Sequence, residues 1–78
     1  MNTSRNFKTA PRWIRGDLVS VVSDSGRSVE CRIVDWEAHS NRLWVRLPTD
    51  QTLELRWQDR RRAWVGHMAR MEFLVQGP

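Results

Sequence analysis

The sequence predicts an all-β fold, a small barrel of five to six short antiparallel strands. Three observations carry that prediction. The chain has 78 residues, enough for one domain and for a core so small that every large apolar side chain counts. Apolar and polar residues alternate in successive short runs from Leu18 to Trp57, the period of a strand with one face in the core. Turn-forming clusters, Ser23-Asp24-Ser25-Gly26 and Pro48-Thr49-Asp50-Gln51, separate the runs at the close spacing of barrels and sandwiches.

Residues Met1 to Arg12 are polar and carry no periodic pattern. Residues 1–13 read as a flexible basic tail, with Arg5, Lys8 and Arg12 as its charges, ahead of a barrel domain over 14–76. Gly16-Asp17 opens the first strand, Leu18-Val19-Ser20-Val21-Val22, rich in β-branched residues. The second run, Ser28 to Trp36, sets Val29, Cys31 and Ile33 against Glu30, Arg32 and Val34. A polar loop over Glu37 to Asn41 leads to the cleanest strand, Arg42 to Leu47. Leu43, Val45 and Leu47 face one way there, and Arg42, Trp44 and Arg46 the other. Thr52 to Trp57 repeats the alternation, with Leu53, Leu55 and Trp57 inward and Thr52, Glu54 and Arg56 outward. Two such runs joined by a four-residue, Pro-containing turn form a hairpin.

The C-terminal third admits two readings. In one, Gln58 to Arg61 turns into a strand from Arg62 to His67, and Met71, Phe73 and Val75 line a last strand. In the other, a helix covers residues 60–75: Trp57, Trp64, Met68, Met71 and Val75 recur at helical spacing, Asp59 stands as N-cap and Gly77-Pro78 as a stop. Gly66 costs such a helix about 1 kcal/mol relative to Ala, and the earlier strands need a partner to close their sheet, so strands are preferred. The expected core is Leu18, Val21, Val29, Cys31, Ile33, Leu43, Val45, Leu47, Leu53, Leu55, Phe73 and Val75.

Gly16-Asp17-Leu18-Val19, a glycine turn, and then Cys31-Arg32-Ile33-Val34 resemble the opening of SH3-like barrels. Tudor-type domains, KOW-type domains of ribosomal and transcription factors, and retroviral integrase C-terminal domains look like this, and the resemblance covers residues 14–57. It implies the fold, and function has to be argued from the residues. The plasmid-borne SH3-like dihydrofolate reductases share the look of Gly16-Asp17-x-Val19 and Ile33-Val34-x-Trp36. Their pore depends on a Val-Gln-Ile-Tyr segment, however, where this chain reads Thr52-Leu53-Glu54-Leu55 and has no tyrosine.

Thirteen basic residues face nine acidic ones, a net +4, and only Lys8 among the thirteen is a lysine. Arginine's planar fork matches phosphates and base edges and stacks on rings. Arg42-x-Trp44-x-Arg46 puts an aromatic between two guanidinium groups on one strand face, with Arg56 on the paired strand. Such a group can stack a base and hold phosphates. Its plainer alternative is a solvent-facing row whose arginines pair with Glu54 or Glu37. Arg60-Arg61-Arg62 with Trp64 forms a second basic patch of the kind that binds phosphate backbones, or else a solvated turn that protects an edge strand.

The only cysteine, Cys31, allows no internal disulfide, and with His39 and His67 it lacks the spacing of a zinc site. Asp35, Glu37 and His67 form no recognisable catalytic group, and no Gly-rich phosphate loop is present. The sequence therefore predicts a non-enzyme without cofactor or metal. With no signal-like segment in Met1 to Arg12 and no apolar run near ~18 residues, it also predicts a cytoplasmic, non-membrane protein. The expected function is nucleic-acid binding, DNA or RNA, through Arg42, Trp44, Arg46, Arg56, Arg60, Arg61, Arg62 and Trp64. The alternative is a protein-interaction or homo-oligomerising module with exposed tryptophans as anchors.

Overall fold

The computed structural model describes residues 13–76. Six strands follow one another: β1 (Leu18–Ser23), β2 (Ser28–Glu37), β3 (Arg42–Arg46), β4 (Thr52–Gln58), β5 (Ala63–Met68) and β6 (Met71–Gln76). Each pairs antiparallel with the next, and β6 returns to β1, so the sheet closes into a barrel in chain order. The architecture is compatible with an SH3-like barrel. The closing seam is short, with only Val22↔Leu74 and Ser23↔Phe73 in register. Apart from Trp13, the tail expected over residues 1–13 lies outside the described residues.

No helix occurs among the described residues, and the helical alternative over 60–75 is overturned. The spacing that imitated a helix is the reflection of a hairpin about its turns. Trp57 pairs with Trp64 across β4–β5, while Trp64 pairs with Val75 and Met68 with Met71 across β5–β6.

The β5–β6 turn consists of Ala69 and Arg70, both left-handed at φ 53° and 66°. Positive φ at both central positions suits the right-handed twist of a tight hairpin. Asn and Gly adopt it readily, whereas other L residues do so at a cost of roughly 1–2 kcal/mol each. Replacing Ala69-Arg70 by Asn-Gly is expected to stabilise the fold by about 1 kcal/mol, read as a rise of about 4–8 °C in the thermal midpoint. An unchanged or lower midpoint would show that the turn stores no strain.

The buried cluster is Val21, Cys31, Ile33, Leu43, Val45, Leu53, Leu55, Trp64, Phe73 and Val75. It contains nine of the twelve residues expected from the sequence. Val29 and Leu47 pack against it only partly buried. Leu18 is 55% exposed and is a correction: Val21 faces inward, so period two sends Leu18, Ser20 and Val22 outward. Trp64 is fully buried, edge-on to Trp57 at 5.5 Å and to Trp13 at 6.1 Å.

One irregularity positions the site. Between Ile33↔Val45 and Asp35↔Trp44 the β2–β3 register shifts by one residue. Strict alternation from Val29, Cys31 and Ile33 would aim Asp35 into the core. The bulge inserts Val34, so Asp35 stays half-exposed and Trp36 turns back to pack on the core.

Candidate nucleic-acid interface

The outer face of β2–β3–β4 is a three-by-three grid fixed by register. Arg32, Arg46 and Thr52 form one row, Asp35, Trp44 and Glu54 the middle row, and Glu37, Arg42 and Arg56 the third. Trp44 thus sits between two carboxylates across the strands and between two arginine pairs along them. The two arginine rows are four residues apart, about 13–14 Å at ~3.4 Å per residue. Directly opposed like charges disfavour strand pairing, yet this face holds two such pairs, Arg32↔Arg46 and Arg42↔Arg56.

Exposed ion pairs hold these arginines loosely. Arg42 Nε lies 3.4 Å and Arg56 Nε 3.2 Å from the same Glu54 oxygen, and Arg46 reaches Asp50 only at 3.9 Å. Arg32 donates to the Gly16 carbonyl at 2.6 Å. Pairs of this kind contribute about 0–1 kcal/mol, so a phosphate can compete for the guanidinium groups. The Asp35 carboxyl is held below the usual carboxylate range, first by the Trp36 backbone N–H and then by Arg15 at 3.0 Å. It is therefore an ionised acceptor at neutral pH.

Among the residues expected to bind, Arg42, Trp44, Arg46 and Arg56 come together on this face. Arg60, Arg61 and Arg62 lie in the β4–β5 turn, beyond the Arg42/Arg56 row. Arg61 leaves the patch: its guanidinium bonds both Glu72 oxygens, at 2.8 and 3.0 Å, and holds that carboxyl below its ordinary range. Arg60 and Arg62 are exposed and make no ion pair among the described residues.

Trp64 is the correction within the site. Because residues 63–68 form a strand with Trp64 inward, its ring is enclosed and cannot stack a base. Trp13, Trp36 and Trp57 also pack on the core, which leaves Trp44 as the one tryptophan outside it.

Sequence reasoning missed Arg32 and gave Asp35 no role at the site. Arg32 alternates outward in β2, whereas simple alternation turns Asp35 inward, so their common placement beside Arg46 and Trp44 depends on the bulged β2–β3 register. The charge is local rather than global. The described residues carry ten arginines against nine carboxylates, and most of the net +4 belongs to Arg5, Lys8 and Arg12.

A separate apolar patch, with Ile14 66%, Leu18 55% and Val22 39% exposed, lies on and before β1. Among the described residues no three His, Cys, Asp or Glu side chains gather into a metal-binding group, and no helix is long and apolar enough to cross a membrane. Comparison with known proteins finds no matching family model, no similar curated protein and no similar solved structure.

Proposed function

We propose that this protein is a non-catalytic nucleic-acid-binding module whose contact surface is the outer face of β2–β3–β4. One observation carries the reading: two cross-strand arginine pairs, each unfavourable for folding, bracket the one tryptophan that lies outside the core. Trp44 would stack an unpaired base, and Arg32, Arg42, Arg46 and Arg56 would hold the phosphates on either side. Arg60 and Arg62 extend the positive surface past one row, and the basic segment with Arg5, Lys8 and Arg12 adds charge. Phosphate contacts position a strand without reading its sequence, so affinity should depend strongly on salt and weakly on sequence overall. The resemblance of residues 14–57 to KOW-type and integrase C-terminal barrels leans the same way.

The test is anisotropy of labelled single-stranded 12-mers titrated with protein at rising salt. Four phosphate contacts give a log–log slope of about −3 for a single strand, at about −0.7 per contact. Trp44→Ala should weaken binding by about 1–3 kcal/mol, the range for one base–aromatic stack. Absence of any binding at low salt sinks the reading.

A second reading, homo-oligomerisation or docking of a protein, is favoured by the exposed Ile14, Leu18 and Val22. The anchors there are aliphatic rather than tryptophans. Complexes of that kind would persist where salt abolishes oligonucleotide binding, and Leu18→Lys would disrupt them.

A further inference from the structure

We infer that Trp44 and its cross-strand neighbours select guanine in a single strand; this rests on the nucleic-acid reading above. A base stacked on Trp44 lies between Asp35 on β2 and Glu54 on β4, each one strand away at about 4.8 Å. Arg42 and Arg46 precede and follow the ring on β3, and Arg32 and Arg56 stand at two opposite corners of the same grid, with Thr52 and Glu37 at the other two. The ring is therefore surrounded by two kinds of hydrogen-bonding group in fixed places, acceptor-only carboxylates beside it and donor-only guanidinium groups before and after it.

Guanine is the base that meets both. Its Watson–Crick edge presents two adjacent donors, N1–H and N2–H, which a carboxylate accepts in parallel. Its opposite edge presents the acceptors O6 and N7, the best-attested target of arginine's fork. Cytosine and adenine each place an acceptor beside the amino group on their Watson–Crick edge. That acceptor's lone pair faces a carboxylate unfavourably. Thymine and uracil offer one N–H between two carbonyls.

Both carboxylates are suited to the task. Asp35 is fixed by the Trp36 N–H at 2.8 Å and by Arg15 through a single oxygen, Oδ1, and the Arg42 and Arg56 contacts to Glu54 both fall on Oε2. Those contacts leave Oδ2 and Oε1 open. The four arginines commit the site to a strand rather than a free nucleotide, because their rows bracket the ring on both sides.

The experiment compares labelled thymidine 12-mers that carry one central G, A, C or T, at neutral pH and low salt. The single substitution avoids guanine quadruplexes. The G strand is expected to bind on the order of tenfold tighter than the T strand, the scale of one good bidentate contact. Asp35→Asn and Glu54→Gln are each expected to shrink that ratio. Glu54→Gln should at the same time strengthen binding to all four strands, since it frees Arg42 and Arg56. Guanosine monophosphate at micromolar concentration is expected to leave the strand bound. Equal affinity for the four strands would overturn guanine selection while leaving the nucleic-acid reading intact. Displacement by micromolar guanosine monophosphate would overturn the assignment to a strand. No binding of any strand would remove both readings.

Discussion

Trp64→Ala is expected to remove most of the protein's stability. The side chain is fully buried and is the largest in the core cluster. Truncating a buried Trp to Ala costs about 3–5 kcal/mol, from lost transfer free energy and from the cavity left behind. A domain of 78 residues holds roughly 4–12 kcal/mol in total, at ~0.05–0.15 kcal/mol per residue.

Collapse around the cavity is hindered on several sides. Trp57 and Trp13 meet the ring edge-on at 5.5 and 6.1 Å, and Trp64 is paired in β5 with Trp57 on one side and Val75 on the other. The indole N–H has no hydrogen-bond partner among the described residues, so Trp64→Phe relieves an unsatisfied donor while keeping a ring in place. Phe is therefore expected to retain the fold where Ala loses it. Urea unfolding followed by circular dichroism separates the two. A cooperative Trp64→Ala transition near the wild-type midpoint would show that the three-tryptophan contact does not anchor the barrel.

The strands were legible wherever one face is apolar and the other polar. β3 and β4 alternate cleanly and fold as expected, with Leu43, Val45, Leu53 and Leu55 in the core. β1 was harder to read, because Leu18-Val19-Ser20-Val21-Val22 is apolar on both faces and nothing in it decides which face turns inward. β5 is buried on both faces from Ala63 to Gly66, which erases the alternation and let a helix compete. The turn after it, Ala69-Arg70, has a conformation that Asn and Gly favour and contains neither.

The site was legible to the extent that it lies within one strand. Arg42, Trp44 and Arg46 are readable as a face of β3, and the tight hairpin brings Arg56 beside them. Arg32 and Asp35 join only through a bulge, which shifts register by one residue and leaves no mark in composition. The five tryptophans pointed to an exposed aromatic surface. Four of them serve the core, since a barrel this small fills its interior with few large side chains.

Gly66→Ala is the expected second-largest effect, and it connects the core to the site. A Cβ built at Gly66 would lie 2.5 Å from the Glu54 carbonyl oxygen and 2.7 Å from Leu55 Cδ2. Neither neighbour can yield cheaply. Leu55 is fully buried, and the Glu54 backbone is paired to Trp44 across β3–β4. The close approach occurs where β4 and β5 begin to part. Their register runs only from Gln58↔Ala63 to Arg56↔Val65, and beyond it an open groove of about 340 Å³ separates Thr52 and Glu54 from His67 and Met68. A methyl group at Gly66 therefore acts as a wedge at the fork.

Overpacking of this kind costs about 1–3 kcal/mol, and the upper end is expected here because one clash is with backbone. The wedge also displaces Glu54, the carboxylate shared by Arg42 and Arg56, so guanine preference should fall further than general affinity. Leu55→Ala relieves the side-chain clash but leaves the carbonyl clash. In a double-mutant cycle the combined cost should consequently be smaller than the sum of the single costs, with a coupling of at least about 0.5 kcal/mol. Additive costs, or a Gly66→Ala midpoint equal to wild type, would mean that β5 moves away from β4 freely, and then the position of Glu54 beside Trp44 would not be set by the packing of the barrel.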